Sequence, residues 1–266
     1  MQSLTAGVVR SAVAGNAEAI RAIVLALQGP FYNLALRMLL IPADAEEATQ
    51  EALLRVVTRL SSYRGDAKFS TWAWKVAVRR ILDFRDGARR APMMTFDGFA
   101  ADLADGIDRH ARMPDDTIEL QQMKLGCGRA LLQCLDGEHR VVYVLGEILE
   151  LTGPEGAEVL GVSPQVWRKR LSRARTRIRD ALGNQCGIVN PDAACHCHRR
   201  LDRAKTLGRL FPEDAGNEID VAEVATQVQS IDELVRHGAY YRADPQTPPG
   251  PELLARVRHA LQLPAE

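Results

Sequence analysis

The 266 residues suffice for two small domains with connecting segments. Apolar content is ordinary, no apolar run reads as long enough to span a bilayer, and Met1-Gln2-Ser3-Leu4-Thr5-Ala6-Gly7 lacks the basic stretch and apolar core of a secretory signal. Basic and acidic residues balance at 34 each and the cysteines number five, which excludes a uniformly basic nucleic-acid binder and a secreted disulfide scaffold, and places the chain in a reducing, cytoplasmic compartment.

In chain order, Val9, Val13, Ile20, Ile23, Val24 and Leu27 give a helical apolar pattern from about Val8 to Gln28. Gly29-Pro30 predicts a break, Phe31–Leu40 a second helix, and Pro42 its end. Asp44 then reads as an N-cap with Glu47 as its capping-box partner, opening a helix that runs to about Leu60. Its first turns expose Asp44, Glu46, Glu47, Gln50 and Glu51. The acids among them either complement the helix dipole or, with Gln50, form a docking surface for a basic partner. Tyr63–Arg85 concentrates aromatic residues in a chain that has only fourteen. A loop at Gly65 leads into a helix starting near Ser70, where Phe69, Trp72 and Trp74 mingle with Lys68, Lys75, Arg79 and Arg80. Such a mixture suits unpaired bases, which stack on rings while cations hold the backbone. The phase of Trp72 with Val76 and Arg79–Arg80 assigns it to the core and leaves Phe69 and Trp74 for bases.

Charge is strongly local. Arg64–Arg90 holds eight basic and three acidic residues, whereas Asp97–Glu119 holds two basic and seven acidic. Gly87–Thr117, with Pro92, Gly98, Gly106 and Pro114, reads as an acidic linker with at most short helices. It is either a flexible tether or a mimic of a nucleic-acid strand. Ile118–Leu135 and Glu138–Leu151 follow as two helices around Asp136-Gly137, with Cys127 and Cys134 as ordinary buried thiols.

Leu160–Arg175 carries the densest local signals. Gly161 suits a left-handed turn, Ser163 an N-cap and Pro164 the first helical position. Trp167, Leu171, Ala174, Ile178 and Leu182 form one buried stripe. The other faces of Pro164–Leu182 carry seven basic residues and one acidic one. This is the turn and second helix of a helix-turn-helix, suited to phosphates and guanine edges in a major groove.

The blocks Asp44-Ala45-Glu46-Glu47-Ala48-Thr49-Gln50-Glu51, Tyr63-Arg64-Gly65-Asp66 and Phe69-Ser70-Thr71-Trp72 closely resemble region two of bacterial sigma factors of the extracytoplasmic-function (ECF) group. Leu149–Arg175 resembles region four of the same group. The likeness covers roughly residues 8–182. It implies docking on core RNA polymerase, capture of a melted promoter strand by region two, and reading of an upstream duplex element by region four. Arg79 stands where the family often has Asn, and Trp167 where a small β-branched residue usually packs. Pro154 and Gly156 depart from its preference for good helix formers.

The fold expected is all-α: a region-two-like domain over 1–90, an acidic linker over 91–117, a region-four-like domain over 118–183 and a helical extension over 184–266. In the extension, Arg199–Leu210, Asp220–Arg236 and Glu252–Leu261 look helical and Asp244–Pro251 is a Pro-rich break. For polymerase docking the residues are Asp44, Glu47, Gln50 and Glu51. For the melted strand they are Phe69, Trp74, Lys75, Arg79 and Arg80. For the duplex they are Ser163, Gln165, Arg168, Lys169, Arg170 and Arg173. Cys186, Cys195 and Cys197 with His196 or His198 match a Cys₃His zinc site that either staples the extension or senses metal. Redox-active thiols near a helix N-terminus are the other reading of that cluster. An anti-sigma partner is a further expectation, and no membrane is. An autonomous helix-turn-helix regulator is the alternative function. An enzyme built on Cys195–His198 ranks far below, since consecutive residues on a tight loop rarely align a base with a nucleophile.

Overall fold

The computed structural model describes residues 4–87, 94–112, 118–208 and 249–262. The helices are α1 (Ala6–Val13), α2 (Ala17–Leu39), α3 (Pro42–Thr58), α4 (Phe69–Gly87), α5 (Phe96–Ala104), α6 (Ile118–Gln133) and α7 (Gly137–Tyr143). They continue as α8 (Gly153–Leu160), α9 (Pro164–Gln185), α10 (Cys197–Thr206) and α11 (Pro251–Ala260). Among the described residues there is no strand, only an isolated bridge between Cys186 and Cys195. The all-α expectation holds. The helix expected over Asp220–Arg236 and most of the Pro-rich break lie outside the described residues.

The chain divides into two compact units. The first gathers 1–90 with 153–166 and 246–266, and the second gathers 91–152 with 167–245.

In the first unit the expected break at Gly29-Pro30 does not occur. The chain turns earlier, where Gly15 takes a left-handed φ of 88° and the Asn16 side chain accepts from the Ala19 N–H at 2.9 Å. Pro30 lies inside α2. Burial outweighs its cost: Ile23, Leu27 and Phe31 are fully buried, and each contributes about 1.5–3 kcal/mol. The Asn33 side-chain amide donates to the Gly29 carbonyl at 2.9 Å. Contrary to expectation, α2 is long and apolar enough to cross a membrane, but half of that stretch is buried in the unit. It carries Asn33 and Arg37 within the core and packs against α1, α3 and α4. The start of α3 also differs. Pro42 takes the first helical position, Ile41 provides no side-chain cap, and Asp44 sits in the first turn rather than at the cap. Proline at that position loses nothing by lacking an N–H.

In the second unit, α7 runs on through a π-helical turn, Val144–Ile148. Trp167, Tyr143, Leu131, Leu132 and Leu135 are among its fully buried side chains. Arg140 is buried and donates to the carbonyls of Gln133 at 2.8 Å and Leu135 at 2.9 Å, which satisfies the end of α6. The linker holds a short helix, as expected, but α5 is packed rather than free. Phe99 and Leu103 are buried, and Thr95 caps it by accepting from the Gly98 N–H at 2.9 Å.

Asp136 caps α7 by accepting from the His139 N–H at 3.0 Å, and it also receives the His139 ring and Arg177. Burial opposes its ionisation, but these donors outweigh it and hold the carboxyl at about 2. A depressed carboxyl stabilises the fold above its unfolded pKa, and that contribution fades as pH falls from about 4 towards 2. Since Asp136 is largely solvent-screened, Asp136→Asn is expected to cost about 1 kcal/mol at pH 7. Urea titrations at pH 7 and pH 3 check this, with a smaller difference between the two proteins at pH 3.

Candidate nucleic-acid and polymerase interfaces

The docking candidates of α3 divide between two surroundings. Glu47 is exposed, while Asp44, Gln50 and Glu51 are partly covered. Glu51 forms an ion pair with Arg80 of α4. One residue expected to meet polymerase thus neutralises one expected to meet DNA.

The aromatic assignments on α4 reverse. Trp74 is only 7% exposed, with its ring 5.2 Å from that of Phe31, so it is a core residue and not a free base-stacking surface. Trp72 is the half-exposed tryptophan. It stacks with Tyr63 and Phe69 at 5.6 Å each, in a cluster closed by the Tyr63–Phe69 contact at 5.3 Å. The Tyr63 hydroxyl donates to the Ala67 carbonyl at 2.8 Å and shapes the loop around Gly65. Phe69 is buried within this cluster, and Lys75 and Arg79 are exposed on the helix. The sequence held the signal. Trp74 shares its phase with Ala77, Val78 and Ile81, all buried, whereas Trp72 shares its phase with Lys75 and Arg79.

The expected start of α9 is confirmed. Gly161 has φ +64°, Ser163 Oγ accepts from the Val166 N–H at 3.2 Å, and Pro164 opens the helix. The stripe from Trp167 through Ala174 to Ile178 is buried, with Leu171 and Leu182 half-buried. The basic faces are not equivalent. Arg170 pairs with Glu138 at 2.7 Å, Arg177 with Asp136 at 3.0 Å, and Arg175 with the buried Glu147, its Nε donating at 2.9 Å. Arg170 is therefore engaged with the protein's own acid instead of being presented to DNA. Gln165, Arg168, Lys169 and Arg173 remain exposed along one side. Side chains spaced by three and four residues on a helix meet successive base edges and flanking phosphates.

Asn190-Pro191 provides the expected chain reversal after α9. Asn190 N–H donates to the Cys186 carbonyl at 2.8 Å, and Gly187 N–H to the Cys195 carbonyl at 2.7 Å, which sets Cys186 beside Cys195. Cys197 begins α10, and α10 packs on α6, the helix that bears Cys127. Cys127 is thus not an isolated buried thiol. Burial pushes its pKa well above the ordinary value, and Cys197, Cys186 and Cys195 push it the same way. Burial, with Cys186 and Cys195 adding to it, raises Cys197 to about 12. Burial chiefly raises Cys134, to about 11, the ordinary buried thiol expected. The rings of His196 and His198 lie 5.7 Å apart, and the His196 ring abuts Gly187 so closely that any Cβ there would stand 2.6 Å from it. All five cysteines are free. Among the described residues, no three Cys, His, Asp or Glu side chains already form a cage for a metal.

Two acids of the linker, Asp102 and Asp105, and Glu119 at the start of α6 pair with α10. Arg200 is buried, donates to the Asp102 carbonyl and lies 3.5 Å from its carboxylate. Arg203 meets Asp105 at 2.6 Å, and Lys205 meets Glu119 at 2.7 Å. The sequence reading makes these acids part of a tether or a strand mimic and misses α10 as their partner, because the residues they meet lie about a hundred positions away.

Residues 23–91 match the Sigma-70 region 2 family. The ECF RNA polymerase sigma factor SigW of Bacillus subtilis is 27% identical over 176 residues, covering 63% of this chain and 91% of that protein. The probable RNA polymerase sigma factor RfaY of Xanthomonas campestris is 31% identical, over 64% of this chain and 42% of its own length. The probable RNA polymerase sigma-C factor of Mycobacterium bovis is 27% identical, over 62% of this chain and 84% of its own. None of these alignments accounts for the whole chain.

Proposed function

Because the chain belongs to the ECF group of RNA polymerase sigma factors, we propose that α3 docks it on core polymerase, α4 captures the melted promoter strand and α9 reads the upstream duplex. The observation that carries the duplex part is the exposed set Gln165, Arg168, Lys169 and Arg173 on a helix where Arg170, Arg175 and Arg177 are tied to protein acids. For the melted strand, Trp72 replaces Trp74 beside Lys75 and Arg79, with the buried Phe69 supporting its ring. The protein works in the cytoplasm as a regulatory subunit, with no chemical step of its own. An anti-sigma protein is a partner to be sought on the same α3 surface.

Arg168→Ala and Arg170→Ala separate the faces of α9. Arg168→Ala is expected to weaken promoter use by about 1–3 kcal/mol and relax one base position, while Arg170→Ala leaves base preference unchanged. In vitro transcription from a randomised upstream element measures both. Equal loss of base preference in the two variants would show that the reading face is wrongly assigned. The function itself is tested by binding of the purified protein to core polymerase; failure to bind removes it.

A second reading concerns the thiols, and it is favoured by the bridge that sets Cys186 beside Cys195 and by the packing of α10, begun by Cys197, on α6, which bears Cys127. We propose that these residues, with His196 or His198 as alternative donors, close around zinc after side-chain rotation. Tetrahedral sites of this type bind thiolates at about 2.3 Å. The metal would staple the extension to α6. Metal analysis of untagged protein is expected to give stoichiometric zinc, reduced in Cys127→Ser and lost in Cys195→Ser with Cys197→Ser. No metal in the wild type ends the proposal.

A further inference from the structure

The C-terminal helix α11 lies on α3, the helix read above as the polymerase-docking element. Its N-terminal backbone and its charge converge on one acid. The Gly250 N–H donates to Glu46 Oε1 at 3.1 Å, and Arg256 meets Glu46 Oε2 at 2.7 Å. The approach is close, since a Cβ on Gly250 would stand 2.5 Å from Glu46 Oε1. Leu253 and Val257, one turn apart on α11, are completely buried. Gln50, one turn beyond Glu46, lines a groove with Glu252, Arg256 and His259. Glu46 and Gln50 both belong to the acidic opening of α3, and Glu47 beside them stays exposed.

We infer that the Glu46–Gln50 side of α3 is a helix-docking surface, occupied in the free protein by its own α11 and exchanged for a helix of core polymerase when the enzyme assembles. The inference rests on the reading of α3 as the docking helix. The charge of the occupant indicates the chemistry of the incomer: a helix that presents a cation to Glu46 and apolar side chains one turn apart. Among the described residues, the contact made by α11 includes one carboxylate with two donors and two buried aliphatic residues. Tethering favours such a contact, because binding a segment of the same chain is an intramolecular step that dilution does not weaken. A larger interface can still displace it. α11 is therefore a built-in competitor that sets the affinity of the free factor for polymerase.

The test uses the full-length protein and core polymerase. Leu253→Asp with Val257→Asp introduces two carboxylates where α11 is buried, and Arg256→Glu reverses its contact with Glu46 at an exposed position. Hydrogen exchange over 251–260 and core affinity are read together. The expected result is faster exchange in both variants and a core affinity raised tenfold or more in the double variant, with a smaller rise in Arg256→Glu. Released α11 with unchanged or weaker core affinity overturns the inference. So do amides in 251–260 that are unprotected in the wild type, or that stay protected in the double variant. If neither wild type nor variant binds core polymerase, the docking role of α3 fails, an outcome distinct from release without gain.

Discussion

Trp74→Ala is expected to destabilise the first unit by about 3–5 kcal/mol, the usual cost of removing a buried aromatic side chain. Trp74 is 7% exposed and packs on Phe31, which is itself fully buried between the turns of α2. The lost ring leaves a cavity beside Phe31 in the packed core of the unit. The neighbouring substitution should behave differently. Trp72 is partly exposed, so Trp72→Ala costs less stability than Trp74→Ala and weakens strand capture by about 1–3 kcal/mol for a lost base stack. Urea unfolding and permanganate footprinting of the open complex separate the two. Full stability with lost opening in Trp74→Ala would reverse the assignment.

Arg175→Ala is expected to cost the second unit about 3 kcal/mol, the low end of the range for stranding a buried charge, because Arg175 itself is 36% exposed. Its partner Glu147 is 2% exposed and lies in the π-helical turn that follows α7. A carboxylate there without its guanidinium must either pay for desolvation or take up a proton. The consequence for function is indirect: Glu147 and Arg175 hold α9 against the turn that the Trp167 and Leu171 side chains contact at Gly146. Replacing both partners, Arg175→Met with Glu147→Met, should recover most of the loss. Thermal unfolding of the two variants checks this. If the double variant is no more stable than Arg175→Ala, the pair is not the cause.

Local chemistry was legible in the sequence, and encounters between distant segments were not. Gly161, Ser163 and Pro164 specified the start of α9 because a left-handed turn, a cap and a proline at the first position act within a few residues. Gly29-Pro30 misled because burial of Leu27, Phe31 and Leu34 overrides a local breaker. Asp44 misled for the opposite reason: Pro42 is itself a starting signal and comes first. The cations of α9 looked alike in the sequence, and only the positions of Glu138, Glu147 and Asp136 separate Arg170, Arg175 and Arg177 from Arg168. The approach of α11 to Glu46 joins residues 210 positions apart, for which periodicity carries no signal.

Initiation by core polymerase on a library of genomic fragments, with and without the purified protein, tests the central claim most directly. The expected result is protein-dependent transcription from one class of promoters, weakened by Arg168→Ala, while the free protein binds the same duplexes poorly at physiological salt. Tight, sequence-specific duplex binding by the free protein, with no effect on where core polymerase initiates, would contradict the account.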